Sequence, residues 1–499
     1  MVVNAEDKLL IKSIWKSLRW LIVLFIASKL TGGIALWALV VFGAWAAFSQ
    51  KLGLALSCYV LYPLLVVSNP YLIGRGSMGM LALRLGFMMM TVLLMISAGR
   101  RRGQESVPLG LLWLYLAAAA LSSLVGYHPV ISYCKIINFS FFLVGIWLGM
   151  RNIDKRPKDL LFLRGFLLAL AVVIIGGSLL TIPFPGVAYF VSNQGLIRAV
   201  GVEGANEMMR SGAASGRQLL CGITNQSQCL APLSVVTICW VLCDMIFVER
   251  RISKLHIALL IAGMPLLYLT RSRCALLSIS VGMFLIYTYC FHIVAVSRQI
   301  KVQLRSIMFG LLAVAGILAA AAEIKDHSIS KWIRKTNDVE GDQRSLSESF
   351  TASRGGLIAE NMFDFHQNPF LGKGFQVAYD FQYTYKPGEI VLSAPIEKGV
   401  LPTMILGEGG ILGAVCFAIF LAGFYGVCAM RRYAVTATLF SVLLVTNLAE
   451  ATFFSTGGAG GIIWVMSIVG GFCIDMVTLT QKRENQFTPF RPLPSPSWR

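Results

Sequence analysis

Two arginines stand where anion chemistry would want them. The stretch Leu267-Tyr-Leu-Thr-Arg-Ser-Arg-Cys-Ala-Leu-Leu joins two apolar runs by almost no loop, so Arg271 and Arg273 fall between the end of one helix and the start of the next. A helix beginning near Ser272 points free N–H groups at an anion held there, and a guanidinium grips phosphate through two parallel hydrogen bonds. The plainer alternative is that both side chains snorkel to lipid phosphates. Arg354, in Thr-Ala-Ser-Arg-Gly-Gly, offers the same chemistry at the start of another predicted helix, with Ser353 as its cap. Arg198, Arg210 and Arg217 add donors in a separate polar segment, although loop arginines are ordinarily just solvated.

Carboxylates supply the complementary chemistry. Glu397 lies in Ala-Pro-Ile-Glu-Lys-Gly-Val-Leu-Pro, directly before an apolar run, and Glu408 follows about two helical turns into that run. An acid in or beside a membrane span is costly and points to function by default. A carboxylate at that depth can take the proton of an attacking hydroxyl. The structural alternatives are an ion pair of Glu397 with Lys398 or a loop arginine, and a packing hydrogen bond for Glu408. Glu450 is a further acid at the end of a span. Of five histidines, His327 and His366 lie in the longest polar segment, where either could act as a base near neutral pH, or serve only in packing. Lys373 sits in a Pro-Phe-Leu-Gly-Lys-Gly turn at 369–374. No histidine–carboxylate or cysteine spacing suits a metal, and no nucleotide-binding loop is present.

The elements that position these residues are apolar helices. Of 499 residues 56% are hydrophobic and 13% charged, against about 25% charged in soluble domains. Apolar runs recur at a length that crosses ~30 Å of hydrocarbon. Candidate spans are 19–30, 32–48, 52–68, 79–98, 108–126, 132–150, 160–181, 231–248, 255–270, 275–297, 304–322, 401–430, 434–450 and 458–479. The 30 residues shared by the first two are tight for a hairpin, so the expectation is about 12 to 14 spans. The first follows Lys8, Lys12, Lys16 and Arg19 without a cleavage site and reads as a retained helix.

A net charge of +19 would suit nucleic acid, but its placement in short connections between spans suits membrane orientation instead. Basic clusters at the N-terminus, 100–102, 151–158, 250–254, 298–305, 431–432 and 482–483 all go to the cytoplasm if span boundaries are adjusted. One transmembrane domain then covers 1–484, with external segments at 182–230 and 323–400 and a proline-containing cytoplasmic tail at 485–499 that reads as disordered. A segment as long as 323–400 is usually functional. Its apolar periodicity around 355–365 predicts short helices over the membrane mouth. Most of the 11 cysteines lie in apolar runs, as small hydrophobes. Cys221 and Cys229, eight apart in the first external segment, are placed where a disulfide could form.

At these residues the chain resembles the O-antigen ligase and Wzy-type polysaccharide polymerase superfamily. Leu269-Thr-Arg-Ser-Arg-Cys-Ala-Leu-Leu is similar to that family's helix start with an essential arginine, which corresponds to Arg273. The run from Ser353-Arg-Gly-Gly to Asn368-Pro-Phe-Leu-Gly-Lys-Gly-Phe resembles its external signature and puts Arg354 on the second functional arginine. Leu406-Gly-Glu-Gly-Gly-Ile-Leu-Gly resembles its glycine-rich span start. The likeness covers about 220 to 480 and extends to earlier spans only through topology.

The resemblance implies an all-α, polytopic, GT-C-like fold in a bacterial inner membrane. It also implies a metal- and cofactor-independent glycosyltransferase acting on undecaprenyl-diphosphate-linked oligosaccharides, donor and acceptor, at the periplasmic face, with inversion. Arg273 and Arg354 would hold the departing diphosphate and Glu397 would serve as base. Arg271, Arg217, Arg210, Lys373, Glu408 and His366 would bind substrate. Partners would be membrane lipids and a chain-length regulator, not nucleic acid. Ligases of the family carry a histidine before the glycine-rich span, whereas no histidine lies between 367 and 499 here and Glu397 stands near that place. The departure favours a repeat-unit polymerase for O-antigen, capsule or exopolysaccharide over a ligase to lipid A core or protein. A transporter borrowing the fold is the reading from a different class; the sequence shows no internal repeat to support it.

Overall fold

A computed structural model describes residues 5–69, 71–73, 86, 89, 91–94, 109–151, 153, 156–189, 219–249, 253–270, 272–289, 355–377, 399–448, 452–456 and 458–487. Its regular elements are helical. The helices are α1 (Ala5–Leu30), α2 (Leu36–Phe48), α3 (Leu52–Val67), α4 (Leu112–Leu124) and α5 (Pro129–Met150). Then come α6 (Pro157–Leu180), α7 (Ser227–Glu249), α8 (Lys254–Leu269) and α9 (Arg273–Thr288). The last are α10 (Gly356–Gln367), α11 (Leu401–Arg431), α12 (Ala434–Thr446) and α13 (Gly458–Phe487). The expected span at 304–322, most of 79–98 and the tail beyond 487 lie outside the described residues.

The chain is a polytopic helical membrane protein. Among the described residues five helices are long and apolar enough to cross a bilayer, namely α5, α6, α7, α11 and the Ala459–Gln481 part of α13. The shorter apolar helices α3, α4, α8, α9 and α12 pack with them, and α2 packs on α3. α7 is buried along its whole apolar window and α13 along most of its own, so these two form the centre. α6, α8, α9, α12 and α13 surround α7, while α3 and α6 lie against α13. Large apolar side chains on the outside, such as Trp113, Ile261, Phe284 and Val415, would be an aggregation liability in water and are at home in lipid.

Proline opens α5, α6 and α11, where its missing N–H is no loss. Asp475 of α13 caps α12, accepting the amides of Val435 (3.1 Å) and Thr436 (2.9 Å) and the Thr436 hydroxyl (2.7 Å). A carboxylate there answers the partial positive charge of the helix start.

Following the helix directions, Lys51, Arg151, Arg156, Lys158, Lys254, Arg431 and Arg432 all fall at one end of the bundle. At that end the Arg156 guanidinium bonds the Gln50 carbonyl and lies 3.6 Å from Asp159. Arg273, α10 and the start of α11 belong to the opposite end.

Candidate functional site

α11 is a broken helix. Its residue Gly410 has φ 60° and ψ −159°, a region open essentially to glycine alone. An unbroken helix would pair the Ile411 amide with Gly407 and the Leu412 amide with Glu408. Here the segment 368–374, entering straight from α10, replaces both pairs. Lys373 donates its amide to the Gly407 carbonyl (2.9 Å) and Gly374 to the Glu408 carbonyl (3.2 Å). The amides of Ile411 and Leu412 turn to the carbonyls of Pro369 (2.8 Å) and Phe370 (3.2 Å). Irregular backbone at membrane depth survives only when protein satisfies its polar groups, and these four bonds do so. The approach needs two bare α-carbons: a Cβ on Gly372 would lie 2.5 Å from the Glu408 carbonyl carbon, and one on Gly410 would strike Phe370.

The same segment is anchored from its other side by α4 and α5. The Ser122 hydroxyl accepts from the Gly374 amide (3.0 Å) and donates to the Glu408 carbonyl. Ser132 accepts from the Phe375 amide (2.8 Å). Lys135, buried in α5, donates to the Gln376 carbonyl (2.8 Å). Phe375 is fully buried among Tyr115, Phe139 and Phe454, its ring centroid 5.4 Å from that of Phe454. Sequence periodicity around 355–365 predicts short helices, and α10 is a helix there. Residues 368–377 read from the sequence as external too, yet they plunge into the bundle. Their glycines permit close backbone approach and Phe375 supplies the buried anchor.

Lys373 is held where this segment enters the bundle. Its ammonium lies 5.4 Å from the centroid of the Tyr127 ring, within range of a cation–π attraction. The Tyr127 hydroxyl donates to Asp364 of α10 (2.6 Å), and the Tyr127 amide donates to the Lys373 carbonyl (3.1 Å). Lys373 is half-buried and so still reachable from solvent.

Arg273 opens α9, where Ser272 is the N-cap and accepts the Ala275 amide (3.3 Å). The expected helix start is therefore in place, with one of its free amides already taken by the cap. Arg273 is half-buried. α9 packs on α12, where Thr446 donates to Ser278 (3.3 Å). The next residue, Asn447, accepts the Leu401 amide (3.0 Å), and Asn361 of α10 donates to Thr403 (3.3 Å). This chain of contacts puts Arg273 at the same end of the bundle as Lys373 and the break.

Glu408 is buried beside Tyr115, immediately before the break, and its backbone carbonyl holds the inserted segment. His366 is exposed in the last turn of α10. Arg210, Arg217, Arg271, Arg354 and Glu397 lie outside the described residues. Cys221 and Cys229 are separate thiols with no disulfide between them. Burial pushes the Cys221 thiol up to about 11, against a smaller opposing effect from a backbone hydrogen bond with Ser227. Among the described residues no cluster of three or more His, Cys, Asp and Glu side chains could hold a metal ion.

Two arrangements escaped sequence reasoning. Lys135 is one, and a lysine inside an apolar run was its signal. The other lies at the far end of the bundle. Arg164 of α6 donates to both oxygens of Asp244 (2.7 and 2.9 Å) and to Glu249 (2.5 Å), while His256 of α8 meets Asp244 at 2.9 Å. These buried groups tie α6, α7 and α8 together. The chain matches no protein-family model, and it matches no curated protein.

Proposed function

We propose that the chain joins lipid-linked glycans, polymerising undecaprenyl-diphosphate-linked repeat units of an O-antigen, capsule or exopolysaccharide. The observation that carries the reading is the seating of 368–374 in the break of α11. That is the Asn-Pro-Phe-Leu-Gly-Lys-Gly segment on which the family resemblance rests, and it brings Lys373 to the end of the bundle that also holds Arg273. A guanidinium at a helix start and an ammonium at the mouth suit a diphosphate. The end opposite the described basic cluster would face the periplasm, by the positive-inside bias.

In the proposed reaction an acceptor hydroxyl attacks the anomeric carbon of the donor's reducing-end sugar. The new glycosidic C–O bond forms as the bond from that carbon to the diphosphate oxygen breaks, and undecaprenyl diphosphate leaves with the electron pair. Arg273 and Arg354 stabilise the departing charge, Lys373 assists, and Glu397 takes the hydroxyl proton. Attack opposite the leaving group inverts the anomeric configuration.

A transporter is the second reading, favoured by the discontinuous α11, since broken spans form many transporter sites. Against it, the break lies near the start of a 31-residue helix. Its freed backbone groups bond the inserted segment and are not left for an ion.

The surface-glycan profile of a deletion strain tests the proposal. A lost polymerase leaves single repeat units on the surface. A lost ligase removes attached glycan while lipid-linked polymer persists. An unchanged profile overturns both.

A further inference from the structure

α1 carries two distinct stripes. Leu10, Ser17, Leu21 and Ser28 are buried, and beside them Ser13 fits against Gly165 of α6. Around the helix, Lys12, Lys16, Arg19 and Val23 recur at the three- and four-residue spacing that makes a single face, and all four are exposed. An open surface hollow lies there, lined among the described residues by those four with Trp15 and Trp20. The two tryptophans are 58% and 60% exposed. Among the described residues, Lys12, Lys16 and Arg19 make no ion pair. An aromatic strip borders the hollow: Trp20 stacks on Phe42 of α2 (6.0 Å between centroids) and Phe42 on Trp45 (5.6 Å).

Three cations on the flank of α1, with no carboxylate among the described residues that line the hollow, suit an anion from outside. Tryptophan at the headgroup level and cations snorkelling to phosphate are what a bilayer interface selects. Clusters of Lys and Arg on an amphipathic helix beside the membrane attract anionic lipid headgroups. We infer that Lys12, Lys16 and Arg19, flanked by Trp15 and Trp20, form a binding site for the headgroup of an anionic phospholipid. The phosphodiester sits among the three cations, with Trp15 and Trp20 beside it. The site is independent of the glycan chemistry at the broken helix.

The test uses the full chain in nanodiscs of equal phosphatidylglycerol and phosphatidylcholine, with retained lipid counted by native mass spectrometry after release. The wild type should retain phosphatidylglycerol in preference, and each charge removed should lower that retention on the order of fivefold. Equal retention of the two lipids by the wild type overturns the inference. So does unchanged phosphatidylglycerol retention in the Lys12→Gln/Lys16→Gln/Arg19→Gln variant. If that variant does not accumulate, Lys16→Gln and Arg19→Gln are read singly, and no loss in either is equally decisive. A photo-crosslinker at Val23 in native membranes should label lipid; labelling of an acidic protein in its place overturns the lipid assignment.

Discussion

The amide of Ile411 bonds the carbonyl of Pro369, at 2.8 Å, where an unbroken helix would use Gly407. With its three companion bonds it joins a segment from the long polar stretch to the start of a membrane span. The geometry of the candidate site hangs on that joint.

Gly410→Ala should disrupt it. A side chain at this φ and ψ costs about 1–3 kcal/mol in backbone strain alone, and its Cβ strikes Phe370. Gly409→Ala is the control, because a Cβ there meets nothing within 4 Å. Thermal unfolding in detergent should show a lowered midpoint for the first variant and little change for the second.

Arg273→Ala and Arg354→Ala should each abolish polymer with little loss of protein, seen by surface-glycan gels beside immunoblots. Arg273→Lys should recover only part of the activity, because an ammonium keeps the charge but loses the two-pronged grip on phosphate. Normal chain length in both alanine variants would sink the mechanism.

Glu397→Gln removes the proposed base while keeping shape. The rate of polymer formation from lipid-linked repeat units should fall about 100-fold or more. If it does not, the exposed His366 is next to be replaced, followed by His327.

The Arg164–Asp244 pair should behave as a buried ion pair. Arg164→Met alone strips the buried Asp244 carboxylate of its guanidinium and leaves it His256, at about 3–5 kcal/mol. Arg164→Met/Asp244→Asn should cost less than the sum of the two single changes. A double-mutant cycle on unfolding midpoints would expose that coupling, and strict additivity would refute it.

With its thiol raised to about 11 by burial, Cys221 stays protonated at neutral pH. Its alkylation at pH 7.5 should run on the order of 100-fold slower than that of an ordinary thiol of pKa about 8.5. The rate should climb about tenfold per pH unit up to pH 10, since only the thiolate reacts. Peptide mapping after timed labelling measures it, and fast labelling at pH 7.5 would refute it.

Much of the fold was legible in the sequence. Long apolar runs with few charges report hydrocarbon burial directly, so α5, α6, α7, α11 and α13 fall close to their expected spans. Asp244 stands as an acid inside an expected span, but its mate was unreadable. Arg164 lies 80 residues away, and α7 meets α6 through packing that local periodicity does not encode.

The sequence by itself determined a membrane-embedded helical chain, the helix that starts at Arg273, and a glycine-rich segment of some special use. Each comes from short-range physics: hydropathy over about 20 residues, the capping of one helix end, and the conformational freedom of glycine. Only the tertiary structure decided that 368–377 enters the bundle and that the start of α11 is broken to receive it. A helix gives up internal hydrogen bonds in the membrane only if a distant segment supplies their replacements. No stretch of sequence carries that exchange alone, because half of its donors and acceptors belong to the other segment.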